Sequence, residues 1–200
     1  MSLYVPDHFA SRERATIARL VHDHPFATLI TPRSPEPMVT HLPLLHVADR
    51  EPHGTLCGHF ARANPHAQVA AGAEAIAIFH GPHASVSPSR YADPSSAVPT
   101  WNYAVAHAHG TIEFAHDAAA TRAVLDLMIH RFEAGRDTPW KLGLDPERLA
   151  AMVGAIVGFR IKVKRFDAKL KLSQNRTPED RRRVAVALDG EQYADAAATA

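Results

Sequence analysis

From Pro25 onward the chain breaks into short apolar runs at 26–31, 38–47, 55–60, 75–80 and 84–87. Turn-forming stretches rich in Pro, Gly, Ser and Asp separate them at 32–37, 48–54 and 87–99. Closely spaced strands joined by turns favour a barrel or sandwich over a series of βαβ units. In 38–47, Met38, Thr40, Leu42 and Leu44 alternate with Val39, His41, Pro43 and Leu45, so a single strand over this run is covered on both faces. Pro43 cannot donate a ladder hydrogen bond, which puts that strand at an edge or gives it a bulge. A longer alternation over 154–166 sets Val157, Phe159, Ile161 and Val163 against Arg160, Lys162 and Lys164, a half-buried strand.

Helical periodicity appears in four places. After Ser11, read as an N-cap, Ile17, Leu20 and Val21 form one stripe. Residues 118–134 carry Val124, Leu127, Met128 and Phe132 with Gly135 as the stop, and 146–153 form a shorter helix. Thr177, Pro178, Glu179 and Asp180 open a last helix with Val184, Ala187 and Leu188 on its apolar side. The expected class is mainly β with peripheral α-helices, as one domain over 1–190. The Ala-rich 191–200 carry no packing pattern and are expected to be frayed.

At 200 residues the chain is long enough to bury a core without disulfides or structural metal. Its only cysteine, Cys57, cannot form an intramolecular disulfide and reads as a small buried residue. No run reaches the roughly 18 apolar residues of a membrane span, and the N-terminus lacks a secretory pattern, so a cytoplasmic protein with no membrane partner is expected. With 22 Lys plus Arg against 21 Asp plus Glu, bulk charge gives DNA binding no support. The 14 histidines make net charge sensitive to pH near neutrality.

Three segments have chemistry to offer. GTLCGHFARANP (54–65) runs from strand to turn and presents Leu56, Cys57, Gly58, His59, Arg62 and Asn64. Arg gives a planar fork of donors, with His and Asn beside it, a set suited to a phosphomonoester rather than a bare metal. The alternative is that Arg62 faces solvent and Asn64 caps a helix starting at Pro65. In 101–110, Trp101, Tyr103, Val105, His107 and His109 share one face, and Asn102 with small residues shares the other. The aromatic face suits a flat heterocycle, and a tightly packed core strand explains the same pattern. His107 and His109 have no identifiable third ligand, so no metal is assigned. KLKLSQNR (169–176) places Lys171, Ser173, Gln174 and Arg176 in an irregular polar stretch, suited to anion or flavin-edge recognition or to a solvated connection.

The segments YVPDHF, FATLIT, HLPLL, GTLCGHFARANP, FHGPHASVSPSRY, VPTWNYAVAHAHG, IVGFRI and KLSQNR, in this order, resemble the PaiB-type FMN-binding regulators over nearly the whole chain. The resemblance implies an FMN-binding split β-barrel related to pyridoxamine-phosphate oxidases, assembled as a homodimer with FMN at the subunit interface. It implies Arg62 as first and His59 as second contact to the FMN phosphate, and a negative transcriptional regulator with DNA as a possible partner. The basic group Arg181, Arg182 and Arg183 makes no recognisable DNA-reading motif. The second function is a flavin reductase or oxidase using FMN, and the third a haem-binding split barrel. No acid, base or nucleophile constellation identifies catalytic residues. Ser85 and Arg90 stand where relatives commonly have aromatics, and His109 where Tyr is common.

Overall fold

A computed structural model describes residues 3–48, 52–69, 71–115 and 117–188. Along the chain lie β1 (Ala10–Ser11), α1 (Arg14–Asp23), β2 (Phe26–Thr31), β3 (Met38–Pro43), β4 (Leu45–Val47), β5 (Thr55–Ala61), β6 (Glu74–Val86) and β7 (Thr100–Phe114). Then follow α2 (Ala118–Glu133), α3 (Pro146–Gly154), β8 (Ile156–Lys171) and α4 (Pro178–Leu188). The strands make one sheet in the order β3-β2-β6-β7-β8-β5-β4, with β1 on β8. The expected mainly β class with four helices is the one observed. Residues 191–200, expected to be frayed, lie outside the described residues.

Two compact units divide the chain, the first made of Met1–His24, Ile78–His107 and Phe166–Ala200, the second of Pro25–Ala77 and Ala108–Arg165. In the second unit β2 and β3 pair antiparallel from Phe26↔Pro43 to Thr31↔Met38. Pro43 falls on β3, an end strand of the order, where its missing N–H leaves no ladder bond unmade. The run expected as one strand, 38–47, divides at Leu44. The Leu44 N–H donates to the Pro25 carbonyl at 2.9 Å, its side chain is fully buried, and β4 pairs with β5 instead.

Strand β5 also pairs with β8, Gly58 opposite Phe159 and Phe60 opposite Val157. The Phe60 ring stacks on Phe159 at 4.4 Å and on His66 at 5.0 Å. α2 covers Cys57 with Val124 and Met128, joined by Leu45, Val47 and Phe132. Asp117 caps α2 through the Ala120 N–H at 2.7 Å, and Gly135 follows it at φ +85°, a conformation that ends a helix at little cost for glycine. The apolar stripe of α2 differs from expectation: Thr121, Val124 and Met128 are buried, while Leu127 sits at the exposed rim.

The first unit corrects three boundaries. α1 starts at Arg14 with Glu13 as its N-cap, because Ser11 is committed to β1 opposite Ala168. The segments 75–80 and 84–87 form one strand, β6, whose buried positions shift phase between Gly81 and Ala84, around Pro82. Such a slip is what an extra residue inserted in a strand produces. Strand β8 continues to Lys171, beyond the expected end at Phe166. α4 forms as expected, with the Thr177 hydroxyl accepting from the Asp180 N–H at 3.1 Å and Val184 and Leu188 buried.

Candidate functional site

In the first unit, the longer β8 turns part of an expected loop into strand. Lys169, paired opposite Ala10, is only 8% exposed. Its ammonium donates to the Tyr4 carbonyl at 3.1 Å and lies 5.4 Å from the Tyr4 ring centroid and 5.3 Å from that of Tyr103. Two π-faces and a carbonyl replace part of the water a buried ammonium loses. Lys171 donates to the Thr100 hydroxyl and, at 2.9 Å, to the Trp101 carbonyl. The Trp101 indole itself is 52% exposed, with the His83 ring at 5.6 Å.

Past Lys171 the chain turns sharply. Gln174 accepts from the Leu172 N–H at 2.7 Å and donates to the Leu170 carbonyl at 2.5 Å, closing the turn on itself. Ser173 has φ +68°, in the left-handed region that ordinary residues avoid. Its buried hydroxyl is held by the buried side-chain amide of Asn102. Three residues on, the Arg176 N–H returns to the Ser173 carbonyl at 2.9 Å, and the guanidinium lies 4.4 Å from the Tyr91 ring centroid.

Tyr91 and Lys169 are the members that sequence reasoning did not single out. Tyr91 is buried and its hydroxyl has no hydrogen-bond partner among the described residues. A buried hydroxyl without a partner is costly and calls for a ligand or water to complete it. Lys169, Lys171 and Arg176 have no carboxylate partner among the described residues. Lys171 at the Trp101 carbonyl and Lys169 over the Tyr103 ring set cations beside aromatic faces, a pairing that suits a flat heterocycle bearing a phosphate ester.

The second unit gathers the other predicted residues. Leu56, Cys57 and Gly58 are buried in the core. A Cβ added at Gly58 would stand 2.7 Å from Leu44 Cδ2 and 3.0 Å from Phe159 Cζ, so glycine there answers to packing. The half-buried His59 places Nδ1 3.4 Å from Met128 Sδ, and burial pushes its pKa down. Arg62 is exposed and donates through Nε to the Gly154 carbonyl at 2.6 Å and through Nη2 to the Ile156 carbonyl at 2.8 Å. Asn64 caps the short turn of helix Pro65–Gln68, accepting from the His66 N–H at 2.9 Å, and donates to the Thr40 hydroxyl at 3.3 Å.

Among the described residues no group of three or more His, Cys, Asp or Glu side chains is arranged to hold a metal. Among the described residues no helix is long and apolar enough to cross a membrane.

The sequence model of the family described as "Putative FMN-binding domain" matches residues 3–165. The chain belongs to this FMN-binding family. A member of the same likeness, the protease synthase and sporulation protein PAI 2 of Bacillus subtilis, is 34% identical over 197 residues, covering 97% of this chain and 93% of that protein. An uncharacterized protein of Aspergillus fumigatus is 28% identical over 218 residues, covering 84% of each. Among solved structures, the FAD and heme binding protein of Mycobacterium smegmatis superposes with a TM-score of 0.64 at 22% identity, over 86% of this chain and 78% of that one. The flavocytochrome Anf3 of Azotobacter vinelandii gives 0.63 at 14% identity, over 88% and 77%. The fold is the flavin-binding split barrel that the motifs imply, and FMN is the cofactor of the FMN-binding family. The matched span ends at residue 165, ahead of the basic turn at 169–176, while the alignment with the Bacillus subtilis protein covers 97% of the chain.

Proposed function

We propose that the chain is an FMN-dependent regulatory protein whose flavin is held by the cluster around Trp101 and Lys171. The observation that carries this reading is Lys171, without a carboxylate partner among the described residues, bonded to the Thr100 hydroxyl and the Trp101 carbonyl beside a half-exposed indole. Trp101 and Tyr103 offer faces to the flavin ring. Lys171 and Arg176 favour the anionic phosphate and the electron-rich ring edge, and Asn102, Ser173 and Gln174 fix the turn that presents them. FMN, when bound, supplies hydride and one-electron chemistry, and the protein's part is to bind and orient it.

Family resemblance separately supports Arg62 and His59, in the second unit, as contacts to the FMN phosphate. With Nε and Nη2 of Arg62 committed to carbonyls, Nη1 is the arm it offers an anion. Burial keeps His59 neutral near pH 7, which makes it a hydrogen-bond donor or acceptor rather than a charge. Family resemblance supports assembly as a homodimer in the cytoplasm and a regulatory role in which DNA is the partner. Two observations decide the central part of this reading: flavin retained by the full chain after desalting, and its loss from a Lys171→Met variant whose melting temperature is unchanged. A chain that keeps no FMN from a saturating solution would remove it.

A further inference from the structure

A cleft lies in the first unit, between the turn Ser87–Tyr91 and α4. It has a volume of about 610 Å³ and is lined by Ser89, Arg90, Glu179, Arg182, Arg183 and Val186 with Ala187. The turn is held in shape by Ser87, whose hydroxyl accepts from the Ser89 N–H at 3.3 Å and from the Ser89 hydroxyl at 3.0 Å. It is tied to the helix by Asp180, which accepts from the Ala92 N–H at 2.8 Å. Both walls are therefore fixed by bonds that do not use the guanidinium groups.

The charges in the cleft do not cancel. Glu179 is paired with Arg183, Oε1 to Nη2 at 2.9 Å and to Nε at 3.0 Å. Arg90 and Arg182 have no ion-pair or hydrogen-bond partner for their guanidinium groups among the described residues. Two uncommitted guanidinium groups facing one space repel each other, an arrangement that an anion relieves. Val186, 71% exposed, and Ala187 add an apolar wall beside them. The cleft is open to solvent, and planar guanidinium groups match phosphate oxygens in pairs.

We propose that this cleft binds a phosphorylated small molecule, its phosphate between Arg90 and Arg182 and its less polar portion against Val186. A nucleic-acid backbone is the less suitable occupant, because duplex binding draws its affinity from many phosphate contacts along the backbone and only two uncommitted guanidinium groups line this space. The site is independent of the FMN reading, since none of the residues assigned to flavin lines it.

Adenosine diphosphate is a suitable probe, titrated calorimetrically into the full chain with and without saturating FMN. Binding is expected in both conditions. Arg90→Gln with Arg182→Gln should weaken it at least tenfold, leaving the melting temperature and the FMN affinity unchanged. A single Val186→Asp change on the exposed wall should weaken it too. Absence of binding to the wild-type chain overturns the proposal, as does binding that the double variant leaves intact. Competition by FMN overturns it as well, by assigning the diphosphate to the flavin site. Binding of duplex DNA that the same variants abolish, with none of the diphosphate, would give the cleft to nucleic acid instead.

Discussion

Asn102 and Ser173, 71 residues apart, hold each other through two buried hydrogen bonds, amide Nδ2 to Oγ at 3.0 Å and Oγ to Oδ1 at 3.1 Å. The pair fastens the basic turn after β8 to β7 at the one described non-glycine residue with a positive φ. A left-handed serine costs of order 1 kcal/mol or more and persists only where its surroundings over-determine it. Here the amide of Asn102 does so, and the same bond places Lys171 and Arg176 on either side of the turn.

Ser173→Ala removes the hydroxyl and leaves the Asn102 amide buried without it, a loss of about 1–3 kcal/mol of stability. Ser173→Gly makes the same deletion but relieves the backbone, because glycine adopts positive φ freely. The alanine variant should therefore unfold at lower urea than the glycine variant, and both below wild type. An alanine variant as stable as wild type would show that the pair contributes nothing.

Burial pushes the pKa values of His24, His59 and His66 below the ordinary 6.5. For His66 the geometry agrees: its ring is fully buried between the Thr31 hydroxyl, 2.7 Å from Nε2, and the Thr40 hydroxyl, 2.9 Å from Nδ1. A depressed folded pKa means that the unfolded chain takes up protons first. The associated stability is complete above pH 6.5 and is lost as pH falls through the folded values, by at most about 1.4 kcal/mol per pH unit and group. Urea midpoints at pH 8, 7, 6 and 5 should be flat at first and then decline. His66→Gln should lower the whole curve and flatten the decline, and an equally steep decline in that variant would assign it elsewhere.

Much of this architecture is legible in the sequence because burial follows period. Strand β5, the extent and Gly135 stop of α2 and the Thr177 cap of α4 all stand close to where local pattern puts them. The misses have tertiary causes. Leu44 divides an evenly apolar run because a backbone bond to Pro25 and a place in the core compete with strand continuation. Lys169 is hidden because a lysine in a strand reads as solvent-facing, and only the rings of Tyr4 and Tyr103, 165 and 66 residues away in sequence, make burial tolerable. Arg62 was legible as a donor but not as a clamp, since the carbonyls it meets belong to the junction of α3 and β8.

That clamp gives Arg62 two separable roles. Arg62→Ala should lower the melting temperature modestly, since the exposed side chain loses two charge-assisted bonds. As a phosphate contact it should also weaken FMN by about one to two orders of magnitude while leaving riboflavin nearly unaffected. Calorimetry with both ligands separates the roles, and equal losses for the two would confine Arg62 to structure.

The homodimer is checked by size exclusion with light scattering, which should give twice the 21.8 kDa chain mass at micromolar concentration. Phe26 and Val39, exposed on the β2–β3 hairpin, are apolar surface that a second copy would cover. A monomer under these conditions contradicts the proposal.

The flavin affinity of Trp101→Leu tests the central claim most directly, because the indole is half-exposed and its loss should leave the fold intact. Stacking of a flat base on an aromatic side chain contributes about 1–3 kcal/mol. The FMN dissociation constant should therefore rise roughly 5- to 150-fold, by the usual conversion of free energy to affinity, and riboflavin should weaken in parallel. An unchanged FMN dissociation constant, in a variant that melts like wild type, would place the flavin away from Trp101 and contradict the account.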